Sequence, residues 1–169
     1  QPVARIIEIV TQRYCNSTAS AAFVVTLLTV TAGLLNWGVG LIFGAIFARK
    51  VGEYAAKNLI KLNYAVIGAA GYSGMMVWHG GFCGSSLFKI AENGHLKEMM
   101  SGILSQEKID LLPNSITYSE TVFSGMNISV ALILLIALPT LMWFVGKRSS
   151  GSEVPLPKAS FQAGLKKLD

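Results

Sequence analysis

Charged residues are scarce in this sequence. Only 14% of its 169 residues are Asp, Glu, Lys or Arg, and 52% are hydrophobic, whereas soluble domains usually carry a charged fraction of about 25%. This composition indicates a membrane protein and argues against a soluble enzyme. The sequence also lacks a charged n-region followed by a short apolar core and a cleavage site, so no signal peptide is predicted. Gln1 rather than Met stands first, and we expect the chain to be a middle part of a longer protein.

Metal-binding and nucleophilic residues are also few. Cys15 and Cys83 lie far apart in the chain, so we predict two free thiols rather than a disulfide or a metal site. His79 and His95 have no His or Cys partner at ligand spacing, which argues against zinc or haem. We find no serine nucleophile elbow, phosphate-binding loop or paired intramembrane carboxylates. The glycines of residues 80–84 are not a dinucleotide motif, because such a motif follows a strand and no strand is predicted before them. We therefore predict no enzyme, no metal and no cofactor.

The net charge of +5 is better explained by membrane topology than by nucleic-acid binding. Four Lys or Arg residues fall in residues 49–61 and five in 147–169, whereas residues 92–120 contain five acids and two bases. By the positive-inside rule, residues 49–63 and 147–169 are predicted to be cytoplasmic and residues 92–120 external. No nucleic-acid partner is predicted.

Three long apolar runs organise the chain, at residues 21–48, 64–91 and 121–146. The third is predicted to be a continuous transmembrane helix, since Lys147 and Arg148 stop it at the cytoplasmic face. The remaining segments are predicted to be a short helix or the end of a preceding element (1–20), an amphipathic cytoplasmic segment (49–63), an external loop (92–120) and a cytoplasmic linker (147–169).

The first apolar run is broken by residues that a membrane helix rarely carries at its centre, namely Asn36, Trp37, Gly38 and Gly40. As one straight helix this run would extend about 42 Å, against a hydrocarbon core of about 30 Å, and would have to tilt strongly. The interpretation we favour is a re-entrant hairpin with arms 21–35 and 41–48 and a tip at residues 36–40. Glycines at the tip permit positive φ and a close approach to a ligand, and free amides at the start of the second arm favour an anion.

The second apolar run is broken at residues 78–86, where adjacent glycines follow a histidine. We predict a discontinuous membrane helix with an unwound middle, while Gly68, Gly71 and Gly74 before it suit helix packing. The candidate substrate contacts at this break are His79, Gly80, Gly81, Gly84, Ser85 and Ser86, and two more, Ser124 and Asn127, lie near the start of the third run. Paired broken membrane segments are typical of transport sites. For His79, a functional role and a structural role across the break both stay open.

Three stretches resemble motifs of one family. Residues 36–49 are similar to the N-W-G-x-G-L-x-x-G-A-x-x-A-R motif of the short-chain fatty acid transporters, the bacterial acetoacetate and butyrate permeases. Residues 78–85 resemble that family's W-G-G-G-F-S-G-S, and residues 121–128 resemble its T-L-F-S-G-F-N-I. All three occur in the family's order. His79 stands where the motif has glycine and Cys83 where it has serine, and these departures bear on substrate preference.

The resemblance implies an all-α secondary transporter in the bacterial inner membrane, multi-pass, with a re-entrant helical hairpin and both broken and continuous transmembrane helices. The chain would form part of one of two inverted halves, with the second half, the lipid bilayer and a short monocarboxylate such as acetoacetate or butyrate as partners. A homo-oligomer is compatible with this architecture, and Na⁺ or H⁺ is the expected coupling ion.

No intramembrane Arg is available to bind the carboxylate, so Asn36 and either Ser85 or Ser86 are the expected donors, together with helix ends. The alternative to a transporter is a non-transporting membrane packing subunit or a sensor of small acids. A membrane enzyme is disfavoured, because no acid, base and nucleophile occur together.

Overall fold

The computed structural model describes residues 2–83, 86–149 and 151–156. This part of the chain is almost entirely helical and forms no strand beyond an isolated bridge between Asn63 and Val154, which confirms the prediction of an all-α fold. The α-helices are α1 (Pro2–Tyr14), α2 (Thr18–Leu35), α3 (Trp37–Lys57), α4 (Tyr64–Tyr72), α5 (Ser86–Lys89), α6 (His95–Met100), α7 (Gln106–Asp110) and α8 (Gly125–Arg148). A 3₁₀ helix (Ser73–Gly80) directly follows α4.

Two of these helices, α2 and α8, are long and apolar enough to cross a membrane. At 1.5 Å per residue they extend about 27 Å and about 36 Å, close to the ~30 Å hydrocarbon core. Ser17 starts α2 with a capping box, in which its Oγ accepts from the N–H of Ser20 at 3.2 Å. Lys147 and Arg148 lie in the last turn of α8, where their charge complements the helix dipole. Helix α2 is central and packs against α3, α4, the 3₁₀ helix and α8.

The helices α2 and α3 turn back on one another at Asn36. A Cβ on Gly40 would lie 2.6 Å from Gly33 Cα, and a Cβ on Gly44 would lie 2.7 Å from Thr29 Cγ2. The later position on α3, Gly44, faces the earlier position on α2, Thr29. The two helices are therefore antiparallel and touch over several turns. Residues 21–48 are therefore not one straight tilted helix.

Helix α3 is longer than the second arm expected from the sequence. It continues to Lys57, because Val51 and Ala55 carry its apolar face on into the core. The expected tip also differs, since Gly38 and Gly40 lie inside α3 with negative φ. The turn is reduced to Asn36, and most of the amphipathic segment expected at 49–63 is the continuation of a packed helix.

Five glycines form a seam along which the backbones of α2, α3, α4 and the 3₁₀ helix touch. The members of this glycine seam are Gly33, Gly40, Gly44, Gly71 and Gly74. A Cβ on Gly71 would lie 2.6 Å from Gly44 O, and a Cβ on Gly33 would lie 2.5 Å from Gly74 O. Small residues allow such close packing between helices in a membrane. The predicted packing role is confirmed for Gly71 and Gly74 but not for Gly68, which has no neighbour within 4 Å of its Cβ position.

The bundle has two distinct ends. At the basic end, the N–H of Asn63 donates to Thr18 Oγ1 at 3.0 Å, and Lys61 pairs with Glu153 at 3.1 Å. The end of α8 also lies here, because a Cβ on Gly146 would be 2.6 Å from Ala19 Cα. At the opposite end, here called the break end, Asn36 bonds to Cys83, and Asn127 bonds to Gly80 and Val122.

Candidate functional site

Asn36 ends one helix and begins the next. Its backbone is extended (φ −156°, ψ 119°), and its N–H donates to Ala32 O at 3.0 Å, which closes α2. Its Oδ1 accepts from the N–H of Val39 at 3.0 Å, which caps α3. Its Nδ2 donates to Cys83 Sγ at 3.1 Å. Asn36 therefore joins the helical turn to the second break, 47 positions along the chain.

The free amides expected at the start of α3 are partly satisfied within the chain. Besides Val39, the N–H of Gly40 donates to Asn36 O at 2.8 Å. A cap of this kind occupies donors that would otherwise attract an anion. The amide of Asn36 still has the second hydrogen of its Nδ2, so its expected role as a substrate donor rests on that hydrogen alone.

The second break is docked on the end of α2. The α-helical part of the second apolar run gives way to the 3₁₀ helix at Ser73, which ends at Gly80. The chain then folds back, and the N–H of Phe82 donates to Leu34 O at 3.0 Å. A Cβ on Gly81 would lie 2.7 Å from that same oxygen. A glycine is needed here because any side chain would push the break away from α2.

Asn127 holds the start of α8 against the second break. Its Nδ2 donates to Gly80 O at 3.0 Å and to Val122 O at 2.7 Å, which uses both hydrogens of the amide. Ser124 is the N-cap of α8, and its Oγ accepts from the N–H of Asn127 at 3.3 Å. The third motif is thereby joined to the second, and residues from all three motifs meet at the break end.

Aromatic side chains surround this junction. The rings of Trp37 and Trp78 meet edge to face with centroids 6.3 Å apart, and the ring of His79 lies 4.3 Å from that of Trp78. Phe82 and Phe123 pack at 5.6 Å. Such ring pairs add about 0.5–1.5 kcal/mol beyond simple burial, so the break end is stabilised by ring packing as well as by hydrogen bonds.

A cavity of about 270 Å³ opens between the 3₁₀ helix, α5 and α8. Its lining residues are Met76, Val77, His79, Gly80, Ser86, Leu87, Asn127, Val130, Ala131 and Leu134. Three of them bring polar side chains, His79, Ser86 and Asn127, and most of the others bring apolar ones. None of these lining residues is Asp, Glu, Lys or Arg. The cavity thus offers a small solute a mainly apolar wall with three polar side chains in it.

The structure divides the site residues predicted from the sequence. Four line the cavity, namely His79, Gly80, Ser86 and Asn127. Five shape helix ends or helix contacts, namely Asn36, Gly38, Gly40, Gly81 and Ser124. Trp37 belongs to the aromatic packing, and Gly84 and Ser85 lie outside the described residues.

The apolar wall of the cavity was not foreseen. Val130, Ala131 and Leu134 follow Asn127 at positions +3, +4 and +7 of α8. Residues at this spacing share one face of a helix, so the polar residue near the start of the third run could have identified its apolar neighbours. Met76 and Leu87 carry no comparable signal, because their position depends on how the second break folds.

Charged residues lie elsewhere. Arg49, the last residue of the first motif, pairs with Glu53 at 2.8 Å, and Lys50 pairs with the same carboxylate at 2.8 Å. Both cysteines are free thiols, as predicted. Burial raises the pKa of Cys15 to about 12, whereas Cys83 lies half-buried beside Asn36. Within the described ranges, no group of three His, Cys, Asp or Glu residues is placed to hold a metal ion.

Known proteins of one family are similar to this chain. The family model described as short chain fatty acid transporter matches residues 1–154. A protein of Escherichia coli (strain K12), provisionally named as a short-chain fatty acid transporter, is 33% identical over 115 residues, which cover 68% of this chain and 22% of that protein. A Haemophilus influenzae protein of the same provisional name is 33% identical over 144 residues, covering 83% of this chain and 29% of that protein.

The chain therefore spans less than a third of either relative. No solved structure matches it. The family model nevertheless covers all three motifs, including every residue that meets at the break end, and two helices of the chain are suited to a membrane. This chain is a membrane protein that belongs to the short-chain fatty acid transporter family.

Proposed function

We propose that this chain contributes the substrate cavity of a secondary transporter that moves short monocarboxylates, such as acetoacetate or butyrate, across the bacterial inner membrane. The observation that carries this proposal is the meeting of two helix breaks and the start of α8 at the break end, where the second break and α8 line a cavity. Interrupted helices that meet in a membrane protein are typical of transport sites. A volume of about 270 Å³ lies just below the ~300–1,000 Å³ of pockets for drug-sized ligands and suits a smaller acid.

The mixed lining of the cavity suits the two ends of such a substrate. The hydroxyl of Ser86 and a ring N–H of His79 donate to the carboxylate, and the short hydrocarbon tail lies against Val77 and Leu134. Asn127 acts differently, since both of its amide hydrogens are bound to backbone carbonyls. It positions Gly80 and the start of α8 rather than binding the acid.

The complete carrier is proposed to contain a second, inverted half, with this chain as part of the first half. In support, the matched region is 22% of one relative and 29% of another. In this carrier, the turn at Asn36 would be the tip of a re-entrant hairpin. Uptake would be driven by Na⁺ or H⁺. Complete carriers would be free to associate as homo-oligomers. The basic end faces the cytoplasm in this arrangement. Residues 61 and 153, which belong to the two segments predicted to be cytoplasmic, pair at this end, and the loop of residues 92–120, predicted to be external, leaves from the break end.

Counterflow of labelled butyrate into proteoliposomes that carry the full-length protein tests the function. We expect labelled butyrate to accumulate against unlabelled butyrate inside, and absence of exchange with butyrate and acetoacetate would contradict the proposed substrate class. An imposed Na⁺ or pH gradient identifies the coupling ion by the one that drives uptake. The 169-residue chain alone should transport nothing, because alternating access needs both halves.

The site itself is tested with His79→Phe, which keeps an aromatic ring but removes the N–H donors, and with Ser86→Ala. Loss of a hydrogen bond to a charged group is worth about 1.5–3 kcal/mol, so each variant should raise the KM for butyrate about tenfold or more. The matched control is His95→Phe, since His95 is the first residue of α6, outside the cavity, and its ring lies 3.8 Å from Glu98. An unchanged KM in both cavity variants, with exchange intact, would move the site elsewhere without refuting the function.

A further inference from the structure

A second and larger cavity lies near the basic end, away from the break end. It is a groove of about 600 Å³ between α1, α2 and α8. Its lining residues are Val10, Tyr14, Ser20, Phe23, Val24, Leu27, Leu28, Thr140 and Trp143. Most of these side chains are aliphatic or aromatic, and none of the described lining residues is charged. A groove of this composition suits a hydrocarbon chain and offers little to a short carboxylate.

Helix α8, which supplies Thr140 and Trp143 to the groove, has an exposed apolar surface. Only 6% of the residues in the apolar window of this helix are buried, and side chains such as Ile136 and Leu141 are exposed. In a membrane protein, a helix of this length and composition lies among lipid acyl chains. The groove is therefore continuous with a surface suited to lipid, and an acyl chain can enter it from the side.

Two cations stand beside aromatic rings of the groove. The Nζ of Lys147 lies 4.0 Å from the centroid of the Trp143 ring, and the Cζ of Arg13 lies 5.8 Å from that of Tyr14. Neither cation forms an ion pair with an acidic residue of the described segments. Both lie at the ends of their helices, close to the basic end, where Trp and Tyr commonly mark the membrane interface.

We propose that this groove binds one anionic phospholipid, with an acyl chain between α1, α2 and α8 and the phosphate between Arg13 and Lys147. Guanidinium and ammonium groups are the usual partners of phosphate in proteins. Basic pockets between membrane helices bind anionic lipid head groups in the same way. The groove has the polarity of a phospholipid, because its described lining is uncharged and the two cations lie beside the rings of Tyr14 and Trp143.

An anionic lipid fits this arrangement better than a covering protein helix. A helix laid over the groove would remove water from both cations and would have to supply acidic partners at the membrane interface. A phospholipid places its phosphate at that depth without further requirement. The occupant is thus identified by charge complementarity at one end of the groove.

Quenching by brominated lipids tests the proposal in the full-length protein. The protein is reconstituted into phosphatidylcholine vesicles that contain a second lipid with brominated acyl chains. This second lipid is either phosphatidylglycerol or phosphatidylcholine. The contribution of Trp143 is the difference between the parent protein and Trp143→Phe. Since each Lys or Arg near the surface favours an anionic lipid by about fivefold, we expect the anionic lipid to bind at least about five times more tightly at Trp143.

The double variant Arg13→Gln/Lys147→Gln should reduce that preference to near unity. The matched control is Lys57→Gln, which removes a positive charge from the end of α3 outside the groove. An equal loss in the control would assign the preference to general surface charge and overturn the proposal. Equal quenching by the two lipids in the parent protein would also overturn it, and so would no quenching at all, because a protein segment would then cover the groove.

Discussion

The glycine seam and the break end both interrupt apolar helices with small or polar residues, yet they do opposite things. At the seam, Gly40 and Gly44 remain inside a regular helix and let two backbones touch. At the break end, Asn36 and Gly81 stop helices, and hydrogen bonds then fasten the stopped ends together. A glycine within a membrane run is therefore not by itself evidence of a break.

The largest effect is expected at the centre of the seam. Gly71→Leu would push a side chain into the backbone of Gly44, and overpacking of this kind costs about 3 kcal/mol or more where backbones touch. We expect the variant to lose its single peak in fluorescence-detected size-exclusion chromatography of the full-length protein.

The matched control for this change is Gly68→Leu, which lies in the same helix, α4, but has open space at its Cβ position. It should elute as the parent protein does. Equal behaviour of the two variants would show that the seam does not hold α3 and α4 together.

A smaller loss is expected at the break end from Asn127→Leu. The substitution removes the donors to Gly80 O and Val122 O, and an unsatisfied buried carbonyl costs about 1–3 kcal/mol. The thermal midpoint in mild detergent should fall, while the protein still folds. Ser129→Ala is the control, because that hydroxyl bonds to Gly125 O within its own helix. A fall in its thermal midpoint as large as that of Asn127→Leu would argue against the role of Asn127 in holding α8 to the second break.

The two glycines that follow Asn36 give the sharpest contrast. Gly40→Ala should lower stability by about 1–3 kcal/mol, since its Cβ would lie 2.6 Å from Gly33 Cα. Gly38→Ala should be neutral or slightly stabilising, because its nearest neighbour is Asn36 Oδ1 at 3.4 Å and alanine favours a helix over glycine. The measurement is the thermal midpoint of each variant. If both residues belonged to one flexible tip, the two changes would have similar effects on it.

The two thiols should show a difference in accessibility between the break end and the buried residues next to the basic end, without a change in stability. Burial raises the pKa of Cys15 to about 12, and because the thiolate is the reactive form, maleimide should not modify it at pH 8. Cys83, at the break end, should be modified. Peptide mass spectrometry compares the two sites, and Cys83→Ser is the control that should abolish fast labelling of this chain. Comparable modification of Cys15 would mean that the region around it opens.

Much of the candidate site could be identified from the sequence, but the role of each residue could not. The sequence located Asn36, Gly81, Ser124 and Asn127 because polar or paired small residues are unusual inside apolar runs. It did not show that Asn36 would be a cap shared by two helices. Nor did it show where α3 ends, because the charged residues after Ala48 resemble a solvated segment, whereas Val51 and Ala55 pack into the core.

The pattern of residue types along the chain shows which segments are apolar, where they are interrupted, which residue types can cap the resulting helices, and at which end positive charge collects. That the interruptions meet follows from tertiary packing alone. The bonds from Asn36 to Cys83 and from Asn127 to Gly80 each join residues 47 positions apart, and no local pattern encodes such pairs. They form because the glycine seam fixes the lengthwise positions of α2, α3 and α4, which brings separate helix ends to one end of the bundle.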